Sequence, residues 1–340
     1  MEGSTYIFPK EKRVRTMHHR RLGNSGLKVS ALGLGTNSFG GRADEATSTR
    51  IIHQAIDSGI TFIDTANIYT NTESERIIGG ALEGRRHEVV LATKAGLVRG
   101  EGPNERGSSR YHLQMELENS LRRLRTDYVD LYQIHTFDSE TPLEETLRAL
   151  DDMVRAGKVR YIGASNYAAW ELVKALGISE NKGLNRYVST QVSYSLADRT
   201  PEKELVPACL DQGVGIIPYF PLAGGILTGK YTSTEKAPEG SRADVEPRFT
   251  RFLNEDKVAF GQKLSSLAND LGYSASALSL AWLMHQPVVS TVIVGASRLE
   301  QLTDNAQCTS IKLDEEMLAQ LDQLSDPYRH GEPFAVYRLS

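Results

Sequence analysis

Asp64, Lys94, His135, Ser165, Asn166 and Gln191 each stand at or near the end of an apolar run. One polar residue in such a place is accounted for by capping the helix that follows. Several on successive runs, with an acid, a base and an imidazole among them, point to one shared pocket. A buried ammonium and a buried carboxylate each need a partner, so Asp64 and Lys94 are expected to neutralise one another. A purely structural ion pair is the plainer role for the same two residues. Tyr69 follows Asp64 in the stretch DTANIY. A nearby ammonium lowers the pKa of a phenol, whereas burial raises it. With Lys94 beside it and Asp64 holding the lysine, Tyr69 is expected to be an acid of usable strength near neutrality. It could then protonate a carbonyl oxygen as hydride reaches the carbon.

These residues need a scaffold that brings strand ends together. From about residue 30 the chain alternates short β-branched runs with amphipathic helical patterns. The runs lie at 31–36, 60–64, 88–94, 128–135, 159–166, 187–193, 213–219 and 290–295. Helical patterns such as TSTRIIHQAIDSG, SERIIGGALEG, RYHLQMELENSLRRLR and LEETLRALDDMVRAG fall between them. Strand then helix, repeated, argues for parallel strands joined by right-handed crossovers. Eight such runs fit a single closed (β/α)8 barrel (a TIM barrel) spanning 20–325 better than an open doubly wound sheet. RRLGNSGLKVS reads as a hairpin around a Gly-Asn-Ser-Gly turn, placed to close the bottom of the barrel. Two stretches, 95–110 and 222–249, are too long for simple connections and follow strand ends, where barrel enzymes place their sites. The C-terminal segment 326–340 is a third irregular stretch, expected near the same rim; residues 1–19 read as a disordered tail.

Composition narrows the class. A chain of 340 residues with net charge −4 has no basic excess for nucleic acid or an anionic membrane. No apolar run is long enough to span a bilayer, and the basic N-terminus lacks the apolar core of a secretory signal. Cys209 and Cys308 stand far apart, which fits a reducing, cytoplasmic setting and argues against a disulfide or zinc framework. His18, His19, His53, His87, His112, His285 and His330 show no HxH or HExxH spacing, so no metal site is expected. GGILTGKY nearly matches a phosphate-binding loop, but Tyr231 replaces its final Ser or Thr and no helix pattern follows, which excludes the NTPase reading. The chain has no GxGxxG; GLGTNSFGG has the wrong spacing.

FIDTANIY, ESERIIGGAL, LATKAG, LYQIH, IGASN, TQVSYS, YFPLAGGILTGKY and VIVGASRLEQLTDN follow one another in the order found in aldo-keto reductases. The chain resembles that family from about residue 20 to 325. The resemblance implies NADPH-dependent reduction of an aldehyde or ketone by a tetrad of Asp64, Tyr69, Lys94 and His135. In that family the tyrosine is the general acid, the Lys–Asp pair tunes it, and the histidine orients the carbonyl. The resemblance also implies that Ser165, Asn166 and Gln191 hold the nicotinamide carboxamide and that Tyr219 stacks on the ring. Pro221, Leu222, Ala223 and Gly224, with Lys230, would hold the pyrophosphate; Thr36, Asn37 and Asp64 are further expected contacts. Gly295, Ser297, Arg298 and Gln301 open the helix after the last strand, with Asp304 and Asn305 one turn on. A helix N-terminus suits phosphate, and Arg298 adds a fixed charge for the adenosine 2′-phosphate, with Arg242 as a second contact. The plainer roles for these two arginines are a solvated helix start and a surface loop. One departure is Phe220, where the family has a small residue after the stacking aromatic; its ring is expected to face substrate or packing.

Two other classes remain. Through LTGKY and GASRLEQL the chain also resembles the potassium-channel β subunits of the family, which implies a regulatory subunit that reports NADPH occupancy to a partner. A barrel hydrolase or lyase would use Lys94 as a Schiff-base nucleophile, although Asp64 so close should keep it protonated. Arg99, Glu101, Arg106, Phe39, Tyr328, Phe334 and Tyr337 frame the expected substrate space; the carbonyl substrate and the oligomeric state are left open.

Overall fold

The computed structural model describes residues 17–333 and 337–339. Strands β1 (His19–Arg21) and β2 (Lys28–Ser30) pair antiparallel, with Arg20 opposite Val29. The other strands are β3 (Leu32–Gly35), β4 (Phe62–Asp64), β5 (Val90–Ala95) and β6 (Val129–Ile134), followed by β7 (Val159–Ser165), β8 (Tyr187–Ser193), β9 (Gly215–Tyr219) and β10 (Val292–Gly295). They form one parallel sheet in the order β10-β3-β4-β5-β6-β7-β8-β9. Its ends meet where Ile216 N–H donates to the Val288 carbonyl at 2.8 Å and Ser290 N–H donates to that of Ile216 at 3.0 Å. The result is a (β/α)8 barrel. All eight strand runs read from the sequence are barrel strands, with ends shifted by one to two residues.

The helices are α1 (Glu45–Asp57), α2 (Glu73–Ala81), α3 (Arg110–Leu124), α4 (Leu143–Arg155), α5 (Ala169–Lys182) and α6 (Leu205–Gln212). They continue with α7 (Arg242–Val245), α8 (Glu255–Asp270), α9 (Ala275–His285), α10 (Leu299–Ala306) and α11 (Glu315–Ser325). Local chemistry sets their ends. Asp44, Ser109, Asn254, Ser274 and Asp314 each accept a hydrogen bond from a first-turn amide, as N-caps do. Gly183 and Gly213 end α5 and α6 in the left-handed region. No helix among the described residues is long and apolar enough to cross a membrane.

The hairpin closes the bottom of the barrel. Leu22 and Val29 are fully buried and pack with Phe62, Ala92, Leu131, Ile217 and Ile293 from inside it. The turn is tied down by Asn24 N–H to the Gly213 carbonyl at 2.9 Å and by Gly23 N–H to Ser290 Oγ at 3.1 Å. Gly23 has φ +54, and a Cβ there would lie 2.4 Å from the Val188 carbonyl, so only glycine fits. The last residues of the stretch read as a tail are in contact with the barrel. Met17 packs against the core and the His18 carbonyl accepts from Ala31 N–H at 2.8 Å; residues 1–16 lie outside the described chain.

The long connections are more ordered than irregular loops. Gly107 N–H donates to the Gly96 carbonyl at 3.0 Å and folds 96–107 back on itself. The stretch 222–249 contains a 3₁₀ turn at Ala223–Thr228 and the short α7. Beyond α11 a 3₁₀ turn covers Asp326–Arg329; Phe334 lies outside the described residues.

Candidate active site at the barrel rim

Asp64 ends β4, paired with Ala92 of β5, and Lys94 lies two residues further along β5. Both side chains are buried, at 1% and 0% exposure, and meet at 2.6 Å between Lys94 Nζ and Asp64 Oδ2. Lys94 Nζ also donates to the Thr65 carbonyl at 2.7 Å and to Tyr69 OH at 3.1 Å. Asp64 Oδ1 accepts from Gln191 Nε2 at 2.8 Å and Gln133 Nε2 at 3.2 Å. The carboxylate therefore meets protein donors on both oxygens, which fixes it against Lys94. Thr36 is tied to the same network. It is fully buried, and its hydroxyl donates to the Asp64 carbonyl at 2.8 Å and accepts from Ser74 Oγ at 2.8 Å.

Tyr69 is set by strained backbone. Thr70, Asn71 and Thr72 follow it with φ of 46°, 52° and 79°, a left-handed run that non-glycine residues rarely adopt. The Thr70 hydroxyl fastens that run to the Phe39 carbonyl, and Asn67 N–H donates to the Lys94 carbonyl at 3.1 Å. Asn67 Nδ2 also donates to the buried Glu116. The Tyr69 ring meets that of His135 edge-on at 5.9 Å.

The ionisation of Tyr69 departs from the sequence reading. Burial pushes the phenol above its ordinary value, Lys94 pulls it down, and Asp64 and Tyr337 push it up again; the net direction is upward. The largest of these effects is desolvation of the half-buried ring, which outweighs the ammonium. For Lys94 burial acts downward, but Asp64 and Tyr69 more than offset it, and the ammonium is held above its ordinary value. His135 is pushed well below its ordinary value by burial, then by Lys94. Tyr69 is thus a protonated phenol and His135 a neutral imidazole near pH 7.

Ser165, Asn166 and Gln191 come together as expected. Asn166, at φ +58, donates from Nδ2 to the His135 carbonyl at 2.8 Å and accepts at Oδ1 from Tyr219 OH at 2.7 Å. Ser165 Oγ donates to the Gln191 carbonyl at 2.9 Å. Beyond Tyr219 the chain bends sharply, with φ of 50° at Phe220, 46° at Ala223, 67° at Gly224 and 102° at Gly225. Phe220 turns to packing. The Arg242 guanidinium lies 5.0 Å above its ring and 3.8 Å above that of Phe249.

A cationic cluster gathers beside this bend. The Lys230 ammonium is pushed below its ordinary value by burial, then by Arg298, Arg42 and Arg242. Arg42 and Arg242 approach one carboxylate oxygen of Glu246, at 3.1 and 3.6 Å. Arg298 is the exposed N-cap of α10, while Gln301 Oε1 accepts from Ser297 N–H at 2.8 Å. Asn37 is exposed, its Oδ1 3.7 Å from where a Gly295 side chain would begin; Asp304 is half-buried and Asn305 buried on α10. Four cations from three loops suit a polyanion.

Sequence reasoning missed Gln133, Arg42, Glu246 and Arg338. Gln133 was detectable, since it lies two residues before His135 on β6 and so shares its face. The others sit in loops where no period marks a facing direction.

Comparisons with known proteins identify the family. The family model described as aldo/keto reductase matches residues 31–326. An uncharacterized oxidoreductase, YrpG, of Bacillus subtilis is 41% identical over 91% of this chain and 96% of its own. A probable voltage-gated potassium channel subunit beta of Arabidopsis thaliana is 35% identical, covering 87% of this chain and 92% of its own. The versiconal hemiacetal acetate reductase of Aspergillus parasiticus is 33% identical, covering 92% and 97%. With a matched barrel and full-length relatives, the chain belongs to the aldo/keto reductase family and is an NAD(P)-dependent oxidoreductase.

Proposed function

We propose that this protein reduces an aldehyde or ketone with NADPH, with Tyr69 as the proton donor. One observation carries the reading: the Lys94 ammonium donates to the Tyr69 oxygen at 3.1 Å. The hydroxyl's own hydrogen is therefore turned away from Lys94 and available to a carbonyl oxygen at the rim. The raised pKa keeps that proton in place through neutral pH, and Lys94 stabilises the phenolate left after transfer. Neutral His135 offers a ring nitrogen to orient the same oxygen. Bound NADPH supplies the hydride.

The residues present suit that cofactor. Ser165, Asn166 and Gln191 converge where a carboxamide would be held, with Tyr219 beside them as the stacking ring. The left-handed bend at Ala223–Gly225, with Pro221, Leu222 and Lys230, would hold the pyrophosphate. Arg298, Arg242 and Arg42 form the phosphate end with Ser297, Gln301, Asp304 and Asn305, which favours NADPH over NADH. The buried free thiols of Cys209 and Cys308 fit a cytoplasmic setting.

The test is NADPH oxidation with a panel of aldehydes and ketones, for wild type and Tyr69→Phe. Loss of a general acid lowers turnover about a hundredfold to ten-thousandfold. Retained NADPH binding with that loss supports the assignment; unchanged turnover refutes it. The relatives named as potassium channel β subunits favour a second reading, a subunit that signals cofactor occupancy. No turnover on any carbonyl, with NADPH-dependent capture of a partner, would favour that reading.

A further inference from the structure

Between β5 and helices α2 and α3 lies a cluster of buried charges that the proposed chemistry does not use. Glu116 of α3 is 4% exposed and Glu75 of α2 is fully buried. Arg123 joins them: its Nε donates to Glu75 Oε2 at 2.7 Å, and its Nη2 stands 4.0 Å from Glu116 Oε2. Each carboxylate also takes a hydrogen bond from one side of the Tyr69–Lys94 pair. Glu75 Oε1 accepts from Thr93 Oγ1 at 2.6 Å, and Thr93 adjoins Lys94 on β5. Glu116 Oε2 accepts from Asn67 Nδ2 at 2.5 Å, and Asn67 stands two residues before Tyr69. Glu116 Oε1 is held by Asn119 Nδ2 at 3.1 Å, and Arg99 Nε lies 3.6 Å from Oε2. Asn67 is fully buried, and its backbone N–H donates to the Lys94 carbonyl at 3.1 Å. Both ends of Asn67 are therefore tied, one to the strand that carries Lys94 and the other to Glu116.

We propose that Glu116 is a positioning residue for Tyr69, acting through Asn67, and that the Glu75–Arg123–Glu116 cluster registers the tyrosine loop against the strand that carries Lys94. The inference rests on the carbonyl-reductase reading. The backbone just after Tyr69 is left-handed at Thr70, Asn71 and Thr72, a conformation that persists only where the surroundings over-determine it. A hydrogen bond to an ionised acceptor is about twice as strong as one between neutral groups, and the bond from Asn67 to Glu116 is of that kind. What it fixes is the 3.1 Å approach of Lys94 Nζ to the Tyr69 oxygen. Misplacing a reacting group by about 1 Å costs about a hundredfold in rate. Glu116 reaches the chemistry only through Asn67, so its loss should appear in kcat and leave cofactor binding alone.

The experiment follows NADPH oxidation with 4-nitrobenzaldehyde, whose electron-poor carbonyl accepts hydride readily. Glu116→Ala should lower kcat about ten- to a hundredfold and leave the Kd for NADPH, read by fluorescence, at its wild-type value. Glu116→Gln, whose amide oxygen still accepts from Asn67, should recover most of the loss. Asn67→Ala should lose about as much as Glu116→Ala, and it carries the test if Glu116→Ala does not fold. The double variant should lose no more than the worse single one, because both residues act along one route. Wild-type kcat in either folded alanine variant, or multiplying losses in the double variant, overturns the proposal. The geometry is read without turnover by ¹³C NMR of protein labelled at tyrosine Cζ, with the Tyr69 resonance assigned from Tyr69→Phe. That resonance should shift in Glu116→Ala and return toward its wild-type position in Glu116→Gln; an unmoved resonance also overturns the proposal. If the wild type reduces no carbonyl yet the resonance moves in this way, the reductase reading falls and the positioning of Tyr69 by Glu116 stands.

Discussion

Replacing Lys94 by methionine separates the electrostatic role of the Asp64–Lys94 pair from its packing role. Methionine keeps most of the side-chain volume and removes the ammonium that sits 2.6 Å from Asp64 Oδ2. The carboxylate then keeps only the amide donors of Gln133 and Gln191, both on Oδ1. Breaking a buried pair by removing one partner costs about 3–5 kcal/mol, because the remaining charge stays desolvated. Asp64→Asn removes that charge, so the double variant Asp64→Asn/Lys94→Met should recover part of the loss. A coupling of about 2–3 kcal/mol is expected between the two substitutions. Urea unfolding followed by fluorescence reads this, because Trp282 is fully buried in the core.

The double variant tests the cause. If an unpaired, desolvated carboxylate sets the loss in Lys94→Met, removing its charge with Asp64→Asn restores part of the stability, although Asp64→Asn alone leaves a buried ammonium and is itself costly. Additive effects of the two substitutions would refute the claim that a desolvated charge governs this site.

Two further outcomes are expected. Because burial holds the Tyr69 phenol above its ordinary value, the reductive rate should stay level through neutral pH and fall only in the alkaline range, while alcohol oxidation rises there. A reductive rate climbing into strongly alkaline solution would contradict that role. Arg298→Ala should raise the KM for NADPH about tenfold or more and leave that for NADH nearly unchanged, since the guanidinium addresses a phosphate that NADH lacks; equal effects on both cofactors would remove Arg298 from the phosphate end.

The barrel was legible because its determinants are local and periodic. Apolar runs, capping residues and a Gly-Asn-Ser-Gly turn report their own conformation, and the structure differs from that reading mainly in where elements end. The pairing of Asp64 with Lys94 was legible for a different reason: two charged residues on buried strand ends have few ways to be satisfied other than by each other. The ionisation of Tyr69 was not legible. The neighbouring lysine could be named from the sequence, but the balance turns on how far the folded chain desolvates the ring, to which the distant Tyr337 adds its own opposing influence.

The same distinction explains why the two ends of the groove differ in legibility. At the proposed nicotinamide end, Ser165, Asn166, Gln191 and Tyr219 all belong to barrel strands or the residue just after, so strand direction fixes where they point. At the proposed phosphate end, Arg42, between β3 and α1, and Arg242, at the start of α7, are brought to one oxygen of Glu246. A carboxylate held between two cations does there, within the protein, what a phosphate would do from a ligand. Arg242 is thus held in place by Glu246 and by the rings of Phe220 and Phe249. Pinning of this kind reduces the side-chain ordering that binding must otherwise impose. Phe220, where the family has a small residue, takes part in that pinning, with its ring centroid 5.0 Å from the Arg242 guanidinium.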